Sequence, residues 1–238
     1  MNSNVEDSFS PILIAVLLIF TTIVLFILRR LLKSSKGFVL LTGLNDTGKT
    51  LIHSQLLHNQ HVLTYTSSQD NVEECNIDGK KITVVDLPGF HSIRQQFFEK
   101  YKENSKGIVY VVDSTSLAKN IRDAANVLNN ILSDPVVLKK RPNILILCNK
   151  QDQTLAKGAS VIKTMLEKEL NTLRNSELNQ LKQLDSKETS KNRSGDSSKE
   201  FTFASLNCKV EFAESFAFNK NNSVDLDALK KWIRKVAT

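Results

Sequence analysis

The stretch Gly43-Leu44-Asn45-Asp46-Thr47-Gly48-Lys49-Thr50 spaces its residues as G-x-x-x-x-G-K-[ST], the pattern of a loop that cradles phosphate groups. It follows a short apolar run at 37–41, predicted as a strand, and opens a helix predicted from Gly48 to about Leu57. That strand-loop-helix context is the one the pattern requires. The glycines let backbone N–H groups turn inward around an anion, and the helix N-terminus favours negative charge. Lys49 is placed to reach β- and γ-phosphates, the Thr50 hydroxyl to bind Mg²⁺, and Leu51 to back the loop in the first helical turn. Alone, the pattern is compatible with an ATP site, a GTP site or chance.

Two further motifs narrow the choice. In "VVDLPGF" (84–90), Asp86 ends a predicted strand where its carboxylate can hold Mg²⁺ through water, and Gly89 can offer its N–H to a γ-phosphate. A Pro-Gly turn after a strand is also an ordinary structural feature. Asn149-Lys150-Gln151-Asp152 lies at the carboxyl end of another apolar strand, the edge at which open α/β sheets bind ligands. Asp152 can accept from the ring N–H and exocyclic amine of guanine, a donor pair adenine lacks. Asn149 can bond the other base edge, and the Lys150 stem can cover the ring. In this order and spacing the three motifs predict a guanine-nucleotide site that takes GTP and Mg²⁺. Between them, "LTYTSSQD" (63–70) supplies hydroxyls where a switch segment should sit. Thr66 is the candidate to sense Mg²⁺ and γ-phosphate, with Thr64, Tyr65 and Ser67 lining the nucleotide. An ordinary polar loop is the other reading of that stretch.

Hydrolysis is the weaker half of the chemistry. The residue after Gly89 is Phe90, where readily hydrolysing GTPases place a glutamine that orients the attacking water. Asn45 stands where active relatives keep glycine, because a side chain there crowds the γ-phosphate. At most a slow intrinsic turnover is expected, and no catalytic residue is assigned.

The elements that must position these groups follow from apolar patterning. "KGIVYVVD" (106–113) and "RPNILILCNK" (141–150) are continuous apolar strands bounded by charge, as expected when both faces of a mostly parallel sheet are covered. Between them, Leu117–Leu132 has helical periodicity, with Ile121, Ala125, Leu128 and Leu132 on one side. "ECNIDGKKITVVDL" reads as a hairpin turning at Asp78-Gly79. A long amphipathic helix follows Asp152, then a stretch without apolar residues at 185–200, a last strand in "VEFAESFA", and a closing helix with Leu226, Leu229, Trp232, Ile233 and Val236 inward. Strands alternating with helices give an α/β fold with helices on both faces.

The 238 residues carry a net charge of +7 and are 41% hydrophobic, enough apolar content for a real core. No aromatic-interleaved basic stripe accompanies the charge, so no direct nucleic-acid binding is expected. Three widely spaced cysteines offer neither a metal nor a disulfide pattern, which suits a reducing compartment. Cys148, inside an apolar strand, reads as a buried small hydrophobe.

The N-terminus stands apart. From Ser8 to Leu28 there is no charge, and about 21 helical residues cover about 31 Å, the hydrocarbon thickness of a bilayer. Glu6 and Asp7 precede the run and Arg29, Arg30, Lys33 and Lys36 follow it, the reverse of a cleavable signal peptide. A core helix would show a polar face, and none is visible. The basic cluster places the remainder of the chain in the cytosol. The expected organisation is a short N-terminal segment (1–8), a transmembrane helix (9–28), a basic linker (29–36) and a cytosolic nucleotide domain (37–238) carrying a disordered insertion at about 184–200.

The motifs "GLNDTGKTL", "TYTSS", "DLPG", "YVVDST", "NKQD", "EKELNTLR" before a polar insertion, "KEFTF" and "VEFAESFA" together resemble the beta subunits of the signal recognition particle receptor, over nearly the whole chain. The resemblance implies a Ras/Arf-like G domain with a mostly parallel six-stranded sheet. It implies a single-pass anchor in the endoplasmic reticulum membrane through residues 9–28, with the N-terminus lumenal. It also implies a GTP-bound domain that recruits the receptor's alpha subunit through its N-terminal domain, and through it the signal recognition particle and ribosome for co-translational targeting. The expected docking face is the ordered switch, with Thr66, Gly89 and the surface around Phe90 to Ile93. The family's last guanine loop usually reads Glu-Cys-Ser-Ala; here it is Glu214-Ser215-Phe216-Ala217, with the Ala217 N–H expected to meet the base. The family also tends to have histidine directly after "DLPG", whereas here Phe90 intervenes before His91. Three rival readings remain at this stage: an Arf/Ras-like regulatory GTPase of membrane traffic completed by an activating protein, a pseudo-GTPase with an empty site, and a membrane ATPase.

Overall fold

The computed structural model describes residues 6–32, 37–60, 69–77, 79–185, 200–219 and 223–237. Thr64, Tyr65, Thr66 and Ser67, the turn residue Asp78, the basic residues at 33–36 and most of the polar stretch after 185 lie outside the described residues. The chain divides into two compact units, Met1–Lys36 and Gly37–Thr238.

The first unit is one helix, α1 (Glu6–Leu32), of 27 residues, about 40 Å at 1.5 Å per residue. Its described side chains, 13–26, are apolar all round and exposed, apart from two threonines. Thr21 and Thr22 turn their hydroxyls back to the carbonyls of Leu18 (2.9 Å) and Ile19 (2.8 Å), so neither donor looks outward for a partner. Among the described residues no helix is long and apolar enough to cross a membrane.

The second unit is built on a six-stranded sheet: β1 (Phe38–Gly43), β2 (Asn71–Ile77), β3 (Lys80–Asp86), β4 (Ser105–Asp113), β5 (Asn143–Asn149) and β6 (Val210–Glu214). The strand order is β2-β3-β1-β4-β5-β6. Among the described strands, β2 and β3 pair antiparallel and the other neighbours pair parallel. Alternate residues of each central strand feed opposite cores, as the two-residue period of a strand dictates. Leu40, Ile108, Tyr110, Ile144 and Ile146 join a layer with α3 (His91–Tyr101), α4 (Leu117–Leu132) and α6 (Ala159–Asp185). Their neighbours Val39, Leu41, Val109, Val111, Leu145 and Leu147 join the other, with α2 (Lys49–His58) and α7 (Asp227–Val236). All five apolar positions expected to face inward around the closing helix are buried. Phe201 and Phe203 of "KEFTF" pack edge-on with each other, and Phe203 also packs edge-on with Phe212 of β6.

Two features differ from the sequence reading. A short helix, α5 (Pro135–Lys140), interrupts the run from α4 to β5. Asp134 caps it by accepting from the Val136 and Val137 N–H groups, with Pro135 at its first position, where a missing N–H costs nothing. In addition, α6 continues through Asp185, into the start of the segment expected to be an insertion.

The parallel register has one consequence for chemistry. Leu41 lies opposite Asp86, Gly43 opposite Val111, and Asp113 opposite Asn149. The carboxyl ends of β1, β3, β4 and β5 therefore emerge along one edge.

Packing at the opposite end of β4 is close. A Cβ placed on Gly107 would lie 2.6 Å from the Trp232 ring and 3.0 Å from a Val236 methyl. Gly107→Val should therefore destabilise the domain by about 1–3 kcal/mol through overpacking. Urea unfolding of the full chain in detergent, followed by the fluorescence of its single tryptophan, measures this; an unchanged midpoint would contradict it.

Candidate functional site

Between β1 and α2 the chain makes a tight loop over residues 44–48. Gly48 caps α2 with φ 88°, a left-handed conformation that costs a side-chain-bearing residue, and a Cβ there would sit 2.5 Å from Asn149 Nδ2. Lys49 bends back over the loop and donates from Nζ to the Leu44 carbonyl at 2.5 Å, and Thr47 Oγ1 donates to the same carbonyl at 3.0 Å. Burial pulls the Lys49 ammonium down to about 8, with Asp86 opposing and Arg94 adding to the fall. The arrangement is a positively charged nest at a helix N-terminus, suited to an anion.

Asp86, at the end of β3, is almost fully buried. Thr50 donates from Oγ1 to its Oδ2 at 2.7 Å, while its Oδ1 has no hydrogen-bond partner. Burial pushes the carboxyl up, against the Thr50 hydroxyl and the Lys49 charge. A buried carboxylate oxygen with an open coordination side, next to a threonine hydroxyl, is the donor set a hard dication takes. The Asp-x-x-Gly turn then runs against the phosphate loop: a Cβ on Gly89 would lie 2.2 Å from Asn45 Oδ1 and 3.0 Å from Asn45 Cα. Phe90 follows in an extended conformation at the start of α3, 55% exposed. Beside it, Asn45, Asp46, Gly89, His91, Asn120 and Asp123 contribute to a cleft of about 540 Å³.

The third loop leaves β5. Asn149 is buried and donates from Nδ2 to the Thr47 carbonyl at 2.8 Å. Its Oδ1 accepts from Ser215 Oγ at 3.4 Å. Lys150 takes a left-handed conformation, φ 66°, and its Nζ pairs with Asp113 Oδ2 at 2.8 Å. Asp152 stands partly exposed on the turn that follows, accepting from Gln153. Ser215 and Ala217 are buried in the adjoining loop, whose path is held by Ser215 N–H on Cys148 O (3.0 Å) and Gln151 N–H on Ser215 O (3.1 Å). The departure at Phe216 is absorbed by the backbone, since its N–H and C=O exchange hydrogen bonds with Asp225. Of the residues singled out from sequence, those at 43–51, Asp86, Gly89, Asn149, Lys150, Asp152 and Ala217 lie at strand ends, on the loops that follow them or in the first turn of α2, along this one edge.

Two members of the site carried no signal that the motif reading used. Arg94 is buried on α3 and donates from Nη1 to the Gly89 carbonyl at 2.7 Å, with the Gly43 carbonyl at 3.4 Å. An arginine on the buried 94–98–101 stripe of α3 was the available clue. Asp113 also accepts from Thr115 N–H (2.8 Å), Thr115 Oγ1 (2.6 Å) and Ser116 N–H (3.3 Å). Burial would push its carboxyl up, but Lys150, Thr115 and Ser116 outweigh that and hold it at about 2.

Residues 34–210 match the sequence profile of the family described as "Signal recognition particle receptor beta subunit". Over 238 aligned residues the chain is 40% identical to the human signal recognition particle receptor subunit beta, covering 98% of this chain and 88% of that protein. The chain belongs to the signal recognition particle receptor beta-subunit family. The baker's yeast beta subunit is 32% identical over 142 residues, 58% of each chain. Among solved structures, this beta-subunit family member is similar to a chain of the mammalian SRP receptor, with a TM-score of 0.72, 38% identity, and 84% and 99% of the two chains covered. At 19% identity and a TM-score of 0.63, a Chaetomium thermophilum protein solved as an SRb-GTP/SRX complex shares the fold, with 84% and 97% covered. The Arl6 small GTPase of Trypanosoma brucei does so too, at 19% and 0.55, covering 84% and 96%. The six-stranded, mostly parallel sheet is thus that of a Ras/Arf-like G domain.

Asp113 gives this edge a measurable pH signature. Its folded pKa lies below the ordinary value of 3.8, so its stabilisation is complete above about pH 4 and is lost as pH falls toward about 2. Asp113→Asn should cost on the order of 2 kcal/mol at pH 7. The gap to the wild type should shrink progressively below about pH 4 in unfolding titrations. A gap constant with pH would contradict the assignment.

Proposed function

We propose that this beta-subunit family member is a GTP-binding switch that anchors its receptor in the endoplasmic reticulum membrane and recruits the alpha subunit. One observation carries the nucleotide reading: Asn149 of the base-reading motif is hydrogen-bonded directly into the phosphate loop at Thr47. A single ligand could then span both loops. Residues 43–51 cradle the phosphates, with Thr64, Tyr65, Thr66 and Ser67 as the switch. Asp152 and Asn149 read guanine, with Lys150 and Ala217 completing the base site. Thr50, Thr66 and, through water, Asp86 would hold Mg²⁺, which would neutralise phosphate charge. The unpartnered Asp86 Oδ1 beside the Thr50 hydroxyl supports that fit.

Turnover is expected to be slow for reasons that lie in the chain's own residues. Phe90 offers no hydrogen bond to a water, and its side chain stands out from the surface. Asn45 fills space against Gly89, on the side where a γ-phosphate would need room. The same exposed ring beside an open cleft supports a docking role for Phe90 to Ile93, because aromatic side chains of this kind anchor interfaces. The human beta subunit, 40% identical, is a subunit of the signal recognition particle receptor, and the Chaetomium thermophilum protein of the same fold was solved as an SRb-GTP/SRX complex, which fits a partner at a GTP-bound face.

Residues 9–28 would cross the endoplasmic reticulum membrane, with the N-terminus lumenal and the G domain cytosolic. Within α1, uncharged residues run between an acidic N-terminal flank and a basic C-terminal one, which supports that orientation.

Two experiments test the proposal. In detergent, the full chain loaded with radiolabelled GTP should turn over at or below the roughly 10⁻⁴ s⁻¹ of an unassisted Ras-type GTPase. Phe90→Gln should speed it severalfold, and both Phe90→Gln and Phe90→Ala should weaken alpha-subunit capture about tenfold. Ordinary unaided turnover, or strong stimulation by an activating protein, would favour the regulatory-GTPase alternative. Separately, an N-glycosylation acceptor fused before Met1 should be modified in microsomes, and one fused after Thr238 should not. The opposite pattern would overturn the topology.

A further inference from the structure

Arg94 presents an unusual situation for a cation. It is 6% exposed, and burial lowers its affinity for a proton. No carboxylate among the described residues pairs with it; its guanidinium partners are the carbonyls of Gly89 and Gly43. A buried charge without a counter-charge is expensive, and carbonyl dipoles offset only part of that cost. An apolar residue would fill the same space on α3 next to Phe98. The chain instead places a planar, multi-donor group there, donating to the end of β1 and to the Asp-x-x-Gly turn.

The two carbonyls define what the group does. Gly43 is the last residue of β1 and the first of the phosphate loop. Gly89 is the glycine whose N–H is placed to meet a γ-phosphate. Its position is sterically fixed on one side by Asn45. On the other side, Arg94 Nη1 holds its carbonyl at 2.7 Å. The first turn of α3 is held in register with it, since the Arg94 N–H bonds the Phe90 carbonyl at 2.8 Å. One residue thereby ties the Asp-x-x-Gly turn to the end of β1 and to the first turn of the helix that carries the exposed Phe90.

From these contacts we infer that Arg94 is a positioning residue that holds the Gly89 loop in its triphosphate-sensing arrangement, so that GTP is discriminated from GDP. The inference rests on the guanine-nucleotide reading above. Arg94 acts through Gly89, whose carbonyl it holds. Its loss is therefore felt where Gly89 makes a contact, at the γ-phosphate, and hardly at the base or the first two phosphates. Lysine, with a cationic donor but no planar fork, can reach one carbonyl and not bridge both.

The test uses the full chain in detergent with fluorescent GppNHp and GDP, and Arg94→Gln and Arg94→Lys variants. Arg94→Gln should weaken GppNHp about tenfold and GDP by less than about threefold, a loss typical of a hydrogen bond to a charged group. Arg94→Lys should fall between Arg94→Gln and the wild type. If Arg94→Gln does not stay folded, the Arg94→Lys ratio of the two affinities decides alone. An equal loss for both nucleotides, or no loss for either, overturns the inference while leaving the nucleotide reading intact. A wild-type chain that binds neither nucleotide overturns both.

Discussion

The amide of Asn149 donates to the carbonyl of Thr47 across 102 residues of chain, and the geometry of the candidate site depends on that contact. It joins the loop after β5 to the loop after β1 although β4 lies between the two strands. Both groups are buried, so neither has water as an alternative partner, and an unmet amide there would be costly. The bond also explains the need for glycine at position 48, whose missing Cβ leaves the space Asn149 Nδ2 occupies. The loop after β1 is thus shaped partly from outside, by Asn149 of the Asn-Lys-x-Asp motif. In this family member a substitution at either end would be felt at the other.

Charge is distributed around that contact in a consistent way. Lys49, Asp86 and Arg94 are all buried within the same region, and each is displaced from its ordinary proton affinity by burial first. Lys49 and Asp86 partly compensate each other, whereas among the described residues Arg94 has backbone carbonyls and no carboxylate as its hydrogen-bond partners. Buried, imperfectly paired groups of this kind concentrate at functional sites. At the ends of β4 and β5 the balance is different: Asp113 and Lys150 form a satisfied pair that braces the turn leading to Asp152.

How much of this was legible in the sequence depended on whether local pattern or tertiary approach decided the outcome. The apolar runs at 106–113 and 141–150 had only one way to be buried, between helices on both faces, and β4 and β5 take that place. The spacing of Leu229, Trp232, Ile233 and Val236 made the inner face of α7 plain for the same reason. The phosphate loop and the Asn-Lys-x-Asp motif were readable because their chemistry is carried by consecutive residues. Arg94 was not, because its meaning comes from carbonyls, one of them 51 residues away. The pairing of Lys150 with Asp113 depends on β4 and β5 ending side by side. The short helix α5 rests on an Asp-Pro start that the surrounding pattern masked. Beta-subunit membership was readable from "EKELNTLR", "KEFTF" and "VEFAESFA"; Phe201, Phe203 and Phe212 of the last two form an edge-on aromatic row at β6.

Fold, site and family thus converge on a guanine-nucleotide-holding subunit, and the nucleotide itself is the central claim. The most direct measurement is to purify the full chain in detergent, denature it, and identify the released nucleotide by ion-exchange chromatography. The account predicts guanine nucleotide, predominantly GTP, at close to one per chain. Adenine nucleotide, or none at all, would contradict it.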